Sequence, residues 1–382
     1  MASTSQIEIN FNAIENNIEF LKSQFKEGVI ISAVIKGNAY GHGTDIMVPS
    51  LERVGVNHFS LYSSPEAKIA LEYKKSGSTI LIMGFVYPED YEWVIANNIE
   101  FYIYEISVLE YAISIAKKTN KKAIVHLDIE TGMNRTGLSL NDLKKVIKII
   151  LKNREYLIIK GVTSHLAGAE SIANNSRVTK QLATFKKRVK LLNNNEIKPE
   201  ITHIACSAAA INYPNSQFDL IRTGILVYGY WPTKETFINF IHKYKTREDK
   251  LRRIMRWKTT VMSIKKVKEG EFVGYGLGYQ AQKNIIIMII PVGYANGYSR
   301  SLSNNGHVLV KESRAQIIGT VNMNMTICDI TEIPNIKIGD EVVLIGRQGE
   351  NEISFASFAE MNNSLNYEIL ARLPDNIDRV LA

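Results

Sequence analysis

The sequence predicts an α/β protein in which a closed (β/α)8 TIM barrel is followed by a mainly β domain. Eight apolar runs of strand length recur through the first 225 residues, at 29–35, 58–62, 79–84, 99–103, 123–128, 157–163, 201–206 and 218–222. Helical patterns lie between them, with apolar residues three and four positions apart, as in 141–151 and 178–192. Eight such units across about 220 residues fit a closed barrel, whose usual length is roughly 250 residues. An open, doubly wound sheet is the alternative fold.

The third observation is a change of pattern near residue 240, after which short strands follow one another without long helices between them. Residues 1–240 are therefore predicted to form the barrel and residues 241–382 the β-rich domain. Its expected strands are separated by Gly, Asn or Asp turns and span 261–267, 285–292, 307–310, 316–321 and 341–345. A helix is predicted at 354–361.

The composition is that of an ordinary soluble globular protein, with 45% hydrophobic and 22% charged residues. The longest apolar run, 285–292, is far shorter than the roughly 20 residues that a membrane helix needs, and no secretory leader pattern opens the chain. We therefore expect a cytoplasmic protein with no membrane partner. Two distant cysteines, Cys206 and Cys328, do not indicate a disulfide framework or a metal cluster, so no metal is predicted.

The formal net charge of +8 raises the question of a nucleic-acid partner. Residues 243–258 concentrate eight basic side chains around two acidic ones, but the rest of the excess is diffuse and no nucleic-acid motif accompanies it. A solvated linker or a strand that enters the second domain is the favoured interpretation, and no nucleic-acid partner is expected.

Polar residues stand where several of the predicted barrel strands end. They are Lys36 after the first run, Asp128 at the end of the fifth, Ser164 and His165 after the sixth, Cys206 and Ser207 at the seventh, and Arg222 at the eighth. Active sites of (β/α)8 barrels lie at the carboxyl ends of the strands. The sequence therefore predicts that these side chains converge on one rim and form a pocket there.

The segment Ala33-Val-Ile-Lys36-Gly-Asn-Ala-Tyr40-Gly-His42-Gly43 is the most specific motif in the chain. An ammonium group at an apolar strand end must be solvated, paired or converted, for example into an imine with an aldehyde cofactor. Asn38, Tyr40 and His42 alternate with small residues, which supplies polar groups and close backbone approach together, as an anion or cofactor site requires. The alternative is that Lys36 only extends into solvent and the glycines only form a turn.

This segment closely resembles the cofactor-lysine motif of the alanine racemases, which are pyridoxal-phosphate enzymes built on a barrel. The resemblance is collinear from about residue 7 to residue 381. It implies racemisation of L- and D-alanine by two bases, Lys36 on one face of the substrate and Tyr275, in Gly274-Tyr275-Gly-Leu-Gly-Tyr279, on the other. It also implies that Tyr275 serves the partner's site in a homodimer, and that the D-alanine supplies peptidoglycan. Without the motif, Tyr275 reads as a turn tyrosine between strands.

The same resemblance assigns the groups that hold pyridoxal 5'-phosphate. Arg222, in Asp219-Leu-Ile-Arg222-Thr-Gly224-Ile225, matches the arginine that faces the pyridine nitrogen. Because a guanidinium only donates hydrogen bonds, that nitrogen would accept one, and side reactions such as transamination would be suppressed. A structural salt bridge is the alternative role for Arg222. The residues matched to the phosphate are Tyr40, Ser207, Tyr367 and the backbone amides of Gly224 and Ile225.

Further matches concern the substrate and the residues around the cofactor ring. His165 and His203 match histidines near and behind the ring, although either is equally read as a core histidine. Arg135, in Glu130-Thr-Gly-Met133-Asn-Arg135-Thr-Gly137, matches the arginine that contacts a cofactor oxygen and the substrate carboxylate. The Met323 backbone is expected to bind that carboxylate from the other subunit, and Tyr294 is expected to line the substrate space.

The chain departs from the family pattern at several positions. Asp128 stands where many members carry a carbamylated lysine that steadies the arginine, and we expect Asp128 to pair with Arg135 directly or through water. Cys206 replaces a common asparagine. Arg300 is retained near the mouth of the site, whereas Thr320 and Asn324 replace an arginine and an aspartate. This less charged mouth predicts some tolerance for substrates larger than alanine.

Other functions share parts of this pattern. Amino-acid decarboxylases have the same cofactor and architecture, but their glycine-rich phosphate loop and cysteine-containing site are not found here. Non-catalytic pyridoxal-phosphate carriers share the barrel but lack a second domain. A racemase for serine or for a broader set of amino acids stays open, because small apolar differences between substrates are worth only about 1–3 kcal/mol in a pocket.

Overall fold

The computed structural model describes residues 4–246, 248–355 and 366–382. The chain divides into two compact units. The barrel unit comprises Asn12–Ala39 and Met47–Arg252, and the β unit comprises Met1–Phe11, Tyr40–Ile46 and Arg253–Ala382. The observed division after Arg252 lies beyond the predicted boundary at residue 240, and two early segments that the prediction placed in the barrel belong to the β unit. The first of these segments belongs there because the first strand, β1 (Gln6–Ile9), pairs with strands formed by the last third of the chain.

Within the described residues, eight parallel strands form the sheet of the barrel unit. They are β2 (Ile30–Val34), β3 (His58–Ser63), β4 (Thr79–Phe85), β5 (Glu100–Ile103), β6 (Ala123–Asp128), β7 (Leu157–Thr163), β8 (Ile201–His203) and β9 (Leu220–Thr223). Each of β2 to β8 pairs with the next in the chain, and β2 also pairs with β9. Between β8 and β9 the Arg222 amide donates to the Ala205 carbonyl at 3.1 Å. This nearly closed sheet confirms the predicted barrel and excludes the open sheet.

The predicted helical patterns 141–151 and 178–192 correspond to two of the α-helices of the described chain, Leu140–Lys152 and Asn175–Asn194. The bounds of the α-helices are Phe11–Gln24, Thr44–Arg53, Ser64–Tyr73, Tyr91–Ala96, Ile106–Thr119, Leu140–Lys152, Asn175–Asn194, Ser207–Asn212, Lys234–Tyr244 and Asn366–Ala371. The helix Leu140–Lys152 shows why the sequence folds this way. The Ser139 hydroxyl accepts a hydrogen bond from the Asp142 amide and caps the helix, while Leu143, Val146 and Ile150 are buried along one side. No helix among the described residues combines the length and the apolar character that a membrane span requires.

The sheet of the β unit contains β1 and nine later strands. These are β10 (Met255–Thr260), β11 (Ser263–Val267), β12 (Ile285–Ile290), β13 (His307–Val310), β14 (Ser313–Ile317), β15 (Thr326–Asp329), β16 (Glu341–Gln348), β17 (Asn351–Ile353) and β18 (Asp378–Leu381). Within the part of the chain that is described, the strands run in the order β11-β12-β15-β14-β13-β16-β10-β1-β18, with β17 paired to β16. The strand predicted at 307–310 is β13, and those predicted at 261–267, 285–292 and 341–345 are β11, β12 and β16 with shifted ends. The strand predicted at 316–321 overlaps only the last two residues of β14. Most of the helix predicted at 354–361 lies outside the described residues.

Candidate active site

Lys36 stands two residues after the end of β2, where the buried run Ile31–Ile35 ends. Its side chain is accessible to solvent. Its pKa nevertheless lies below the usual lysine value, first because the surrounding protein removes part of its hydration and second because the Arg135 cation is nearby, while Glu66 acts in the opposite direction. A lowered pKa increases the fraction of neutral amine, which is the form that attacks a carbonyl or accepts a proton.

The backbone after Lys36 forms a left-handed turn. The φ angles of Gly37, Asn38, Ala39, Tyr40 and Gly41 are 62°, 50°, 53°, 52° and 75°. For residues with a Cβ atom this conformation costs roughly 1–2 kcal/mol each, and such strain is concentrated at functional sites in proteins. The Ala39 amide donates to the Ile35 carbonyl at 2.8 Å, which ties the turn to the end of β2.

Contacts within the β unit hold the second half of this turn. A Cβ atom at Gly41 would lie 2.1 Å from the Leu370 carbonyl oxygen, so only glycine fits there. Arg379, which the sequence analysis missed, donates from Nε to the Gly41 carbonyl at 2.8 Å. The rings of Tyr40 and Tyr367 are 6.1 Å apart between centroids. Two of the predicted phosphate ligands are thus brought together by the fold.

Ser207 and Gly224 form a second predicted pair, in the barrel unit. Ser207 is the first residue of the helix Ser207–Asn212, and Gly224 follows β9. The Gly224 amide donates to the Ser207 hydroxyl at 3.0 Å, and both Ser207 and the neighbouring Ile225 are buried. A hydroxyl and two adjacent backbone amides at a glycine are suited to bind the oxygens of an anion.

Arg222 is buried and has a complete set of partners on its two terminal nitrogens. Nη1 donates to the Thr163 hydroxyl at 2.8 Å and to His203 Nδ1 at 2.5 Å, and Nη2 donates to the carbonyls of Ser164 at 2.8 Å and Ile204 at 3.3 Å. None of its hydrogen-bond partners among the described residues is a carboxylate, which gives no support to a structural salt bridge. Its Nε–H has no partner within the described residues and remains to serve a ligand.

The two predicted histidines are both held in the neutral state. Burial, together with the cations of Arg222, Arg135 and Lys36, lowers the pKa of His165 to about 3. His203 is fully buried, and burial together with the Arg222 cation places its pKa well below the usual histidine value. His165 therefore lies in the electrostatic neighbourhood of three predicted site residues, whereas His203 contacts Arg222 directly.

Asp128 does not form the direct ion pair with Arg135 that we expected. In the structure its Oδ2 atom accepts a hydrogen bond from the Thr136 hydroxyl at 3.1 Å. Burial raises the pKa of Asp128 to about 6, although Thr136 and the cations of Arg222 and Arg135 act to lower it. Pairing of Asp128 with Arg135 through water stays a prediction. Arg135 itself is exposed on a loop whose backbone amides at Met133 and Asn134 donate to the Glu130 carboxylate.

The remaining predicted residues lie in the β unit. Tyr275 is 76% exposed on the turn 273–279, which is closed by a hydrogen bond of 3.0 Å from the Val273 amide to the Tyr279 carbonyl. Val273 belongs to a buried apolar cluster that anchors this turn. The segments of Tyr294 and Met323 are joined, because the Ala295 amide donates to the Met323 carbonyl at 2.9 Å.

Comparisons with known proteins agree with this geometry. The family models for the alanine racemase N-terminal and C-terminal domains match residues 9–232 and 254–381. Alanine racemase 1 of Caldanaerobacter subterraneus subsp. tengcongensis is 33% identical over 378 residues, which cover 98% of this chain and 94% of that protein.

Solved structures give the same result. The alanine racemase of Clostridium difficile 630 superposes with a TM-score of 0.91 at 28% identity, covering 100% of this chain and 96% of the other. The alanine racemase from Bartonella henselae with covalently bound pyridoxal phosphate gives a TM-score of 0.84 at 26% identity over 100% of both chains. The chain therefore belongs to the alanine racemase family, whose members depend on pyridoxal phosphate.

Proposed function

We propose that the protein interconverts L-alanine and D-alanine with pyridoxal phosphate as cofactor and with Lys36 and Tyr275 as the two bases. The observation that supports this most is the setting of Lys36. It is an accessible amine with a lowered pKa at the end of a barrel strand, in the electrostatic neighbourhood of Arg135. We further propose that the reaction takes place in the cytoplasm and supplies D-alanine for peptidoglycan.

The residues of the barrel unit fit the cofactor. Pyridoxal phosphate, when bound, withdraws electron density from the substrate's Cα and so makes its proton removable. Lys36 would hold the aldehyde carbon, and Ser207 with the amides of Gly224 and Ile225 would hold phosphate oxygens. Tyr40 and Tyr367 are proposed as further phosphate ligands.

The charges around Arg222 favour proton transfer without side reactions. Its Nε–H, for which no described residue is a partner, is the donor that would meet the ring nitrogen, and a guanidinium does not give up its proton to that nitrogen. His165 stays neutral because its pKa is about 3, so it adds no further cation beside Lys36. Lys36 can then alternate between the neutral and the protonated amine at the substrate's Cα.

Tyr275 is proposed to act in the partner subunit of a homodimer. On its own chain the side chain is 76% exposed, and the neighbouring Leu277 is 80% exposed. Phe272, Met323 and Met325 are also exposed apolar residues of the β unit. Exposed apolar side chains on one unit are what the surface of a partner subunit would cover. Sedimentation velocity should therefore show a dimer.

The experiment that tests the function follows the optical rotation of L-alanine and of D-alanine in the presence of the purified holoenzyme, with carbon dioxide measured in parallel. We expect loss of rotation from either enantiomer with no carbon dioxide. Release of carbon dioxide would instead identify a decarboxylase, and binding of pyridoxal phosphate without turnover would identify a carrier.

The same assay addresses the substrate range. Thr320 and Asn324 stand where the family pattern has charged residues, and Thr320 lies close to Gly278 of the turn that bears Tyr275. We propose that amino acids larger than alanine are also accepted. Values of kcat/KM for L-serine and other small L-amino acids decide this, and turnover of alanine alone contradicts it.

A further inference from the structure

Four buried side chains form one continuous chain of hydrogen bonds within the barrel unit. Glu100 Oε2 is 2.7 Å from His126 Nε2, His126 Nδ1 is 2.8 Å from His203 Nε2, and His203 Nδ1 is 2.5 Å from Arg222 Nη1. No member is more than 5% exposed. Glu100 and His126 take no part in the function proposed above, and the chain links them to the arginine that does.

The chemistry of the two ends gives this chain a single direction. Arg222 only donates, so His203 Nδ1 must accept and the hydrogen of His203 must be on Nε2. His203 Nε2 therefore donates to His126 Nδ1, which leaves the hydrogen of His126 on its own Nε2. That hydrogen meets the Glu100 carboxylate, which only accepts when ionised. Both imidazoles are thus neutral and each has one tautomer.

The charges agree with this assignment. Burial acts to raise the pKa of Glu100, but its interactions with His126 and His58 outweigh burial and bring the pKa to about 2. Burial lowers the pKa of both imidazoles. His58 Nε2 lies 3.7 Å from Glu100 Oε2, which is beyond hydrogen-bond distance, so His58 is a neighbour and not a member of the chain. Its Nδ1 bonds to the Ser32 hydroxyl at 2.8 Å.

Gly161 makes the contact between the two histidines sterically possible. His126 lies on β6 and His203 on β8, with β7 between them. A Cβ atom on Gly161 of β7 would lie 2.0 Å from His126 Nδ1, the atom that accepts from His203. The strand between the two histidines thus lacks a side chain at the position where their hydrogen bond crosses it.

We propose that Glu100 and His126 are positioning residues for Arg222, and that the chain Glu100-His126-His203-Arg222 compensates the guanidinium charge from a distance. A buried cation needs compensation, but a carboxylate in direct contact would take up its donors. Two neutral imidazoles let Glu100 compensate the charge while the Nε–H of Arg222 stays available. The role of Arg222 in this inference rests on the proposed function. The existence of the hydrogen-bond chain does not depend on that function.

The first test is ¹⁵N NMR of the protein labelled at its histidine imidazoles, with and without pyridoxal phosphate. We expect the signals of His126 and His203 to show a hydrogen on Nε2 and a bare Nδ1, with no titration between about pH 5 and pH 9. A hydrogen on Nδ1 of either residue, or a titration in that range, overturns the proposal. This measurement uses the unsubstituted protein, so it does not depend on whether a variant folds.

The second test removes the charge of Glu100 and keeps its shape. In Glu100→Gln the amide oxygen still accepts from His126, so we expect the tautomers to persist. The Nε2 proton signals should move in His203 as well as in His126, because charge at one end polarises the whole chain. We expect kcat/KM to fall about 10- to 100-fold, the usual range for residues that support a ligand-binding group from behind.

Asp90→Asn is the matched control, because Asp90 is also a buried carboxylate but bonds to Ser64 and Lys68. It should leave the signals of His203 and the value of kcat/KM unchanged. If Glu100→Gln moves only the His126 signals and leaves kcat/KM within a factor of about two, Glu100 has a local structural role and the proposal is wrong. If the unsubstituted holoenzyme racemises no amino acid, the proposed function fails. The NMR result still shows whether the hydrogen-bond chain from Glu100 to Arg222 exists with the assigned tautomers.

Discussion

The Asp128 carboxylate accepts its hydrogen bond from Thr136, with Oδ2 and Oγ1 3.1 Å apart, and it is buried enough to have a pKa of about 6. A carboxylate with that pKa is only partly ionised just below neutral pH. Asp128 therefore differs from a permanently charged group at this position, and its charge near Arg135 depends on pH.

This predicts that Asp128→Asn stabilises the fold at high pH and not at low pH. The folded-state pKa is raised, so the native protein binds the proton more tightly, and ionisation of Asp128 lowers stability as the pH rises from about 4 to about 6. The asparagine of the variant does not ionise, so the variant does not lose stability in this way. Its free energy of unfolding in urea should exceed that of the parent by up to about 3 kcal/mol at pH 8 and match it near pH 4. Thr136→Val, which removes the hydroxyl that stabilises the ionised form, should show the opposite sign. A difference that does not vary with pH would contradict the raised pKa.

Gly41→Ala should destabilise the protein and weaken retention of the cofactor. The added Cβ atom would lie 2.1 Å from the Leu370 carbonyl oxygen, in a residue with φ of 75°. Gly28→Ala is the matched control, since Gly28 has φ of 80° but nothing within 4 Å of its Cβ position. We expect the control to lose about 1 kcal/mol of unfolding free energy and Gly41→Ala to lose at least about 3 kcal/mol. Urea unfolding and the absorbance of retained pyridoxal phosphate measure the two effects. Equal losses in the two variants would show that the contact with Leu370 has no energetic consequence.

Tyr275→Phe should separate proton exchange from inversion. With only Lys36 left, one face of the substrate is served, so in deuterium oxide one alanine enantiomer should exchange its α-proton without inverting. Racemisation should fall by about 10²- to 10⁴-fold, the usual contribution of a positioned base. Tyr279→Phe is the control, because Tyr279 belongs to the same turn and packs against the apolar cluster below it. Proton NMR and chiral chromatography follow the two processes. Exchange of both enantiomers at parental rates would exclude Tyr275 as a base.

The barrel could be predicted because strands covered on both faces are predominantly apolar, as in β2 and β6. The N-terminal strand β1 could not be predicted, because it is short and its pairing with β10 and β18 joins distant parts of the chain. The basic run at 243–258 shows the same limit. Part of it is β10, where Arg256 forms an ion pair of 2.8 Å with Glu8, some 250 residues away. A strand that enters the second domain was one of the two favoured interpretations of this run, but the partner of Arg256 could not be predicted.

The site shows a similar contrast. Lys36, Arg222 and Ser207 could be predicted, since each stands at a strand end within a specific motif. Glu100 and His126 were missed because they lie inside apolar runs, where a single polar residue does not change the pattern that predicts a buried strand. The signal was present, because a histidine within a buried strand must find a partner for each ring nitrogen. Those partners are set by side chains on other strands, and Arg379 is likewise defined only by contacts made in the folded chain.

The left-handed turn after Lys36 has a consequence for the entropy of cofactor binding. Asn38, Ala39 and Tyr40 adopt a conformation that glycine would enter more easily, yet each of them has a Cβ atom. A glycine loop would be free of strain but would sample many conformations before a ligand ordered it. Side chains narrow that range, so the loop between Lys36 and Tyr40 is pre-organised when the chain folds. The loop therefore loses its conformational entropy when the chain folds. Binding of pyridoxal phosphate does not have to order it again.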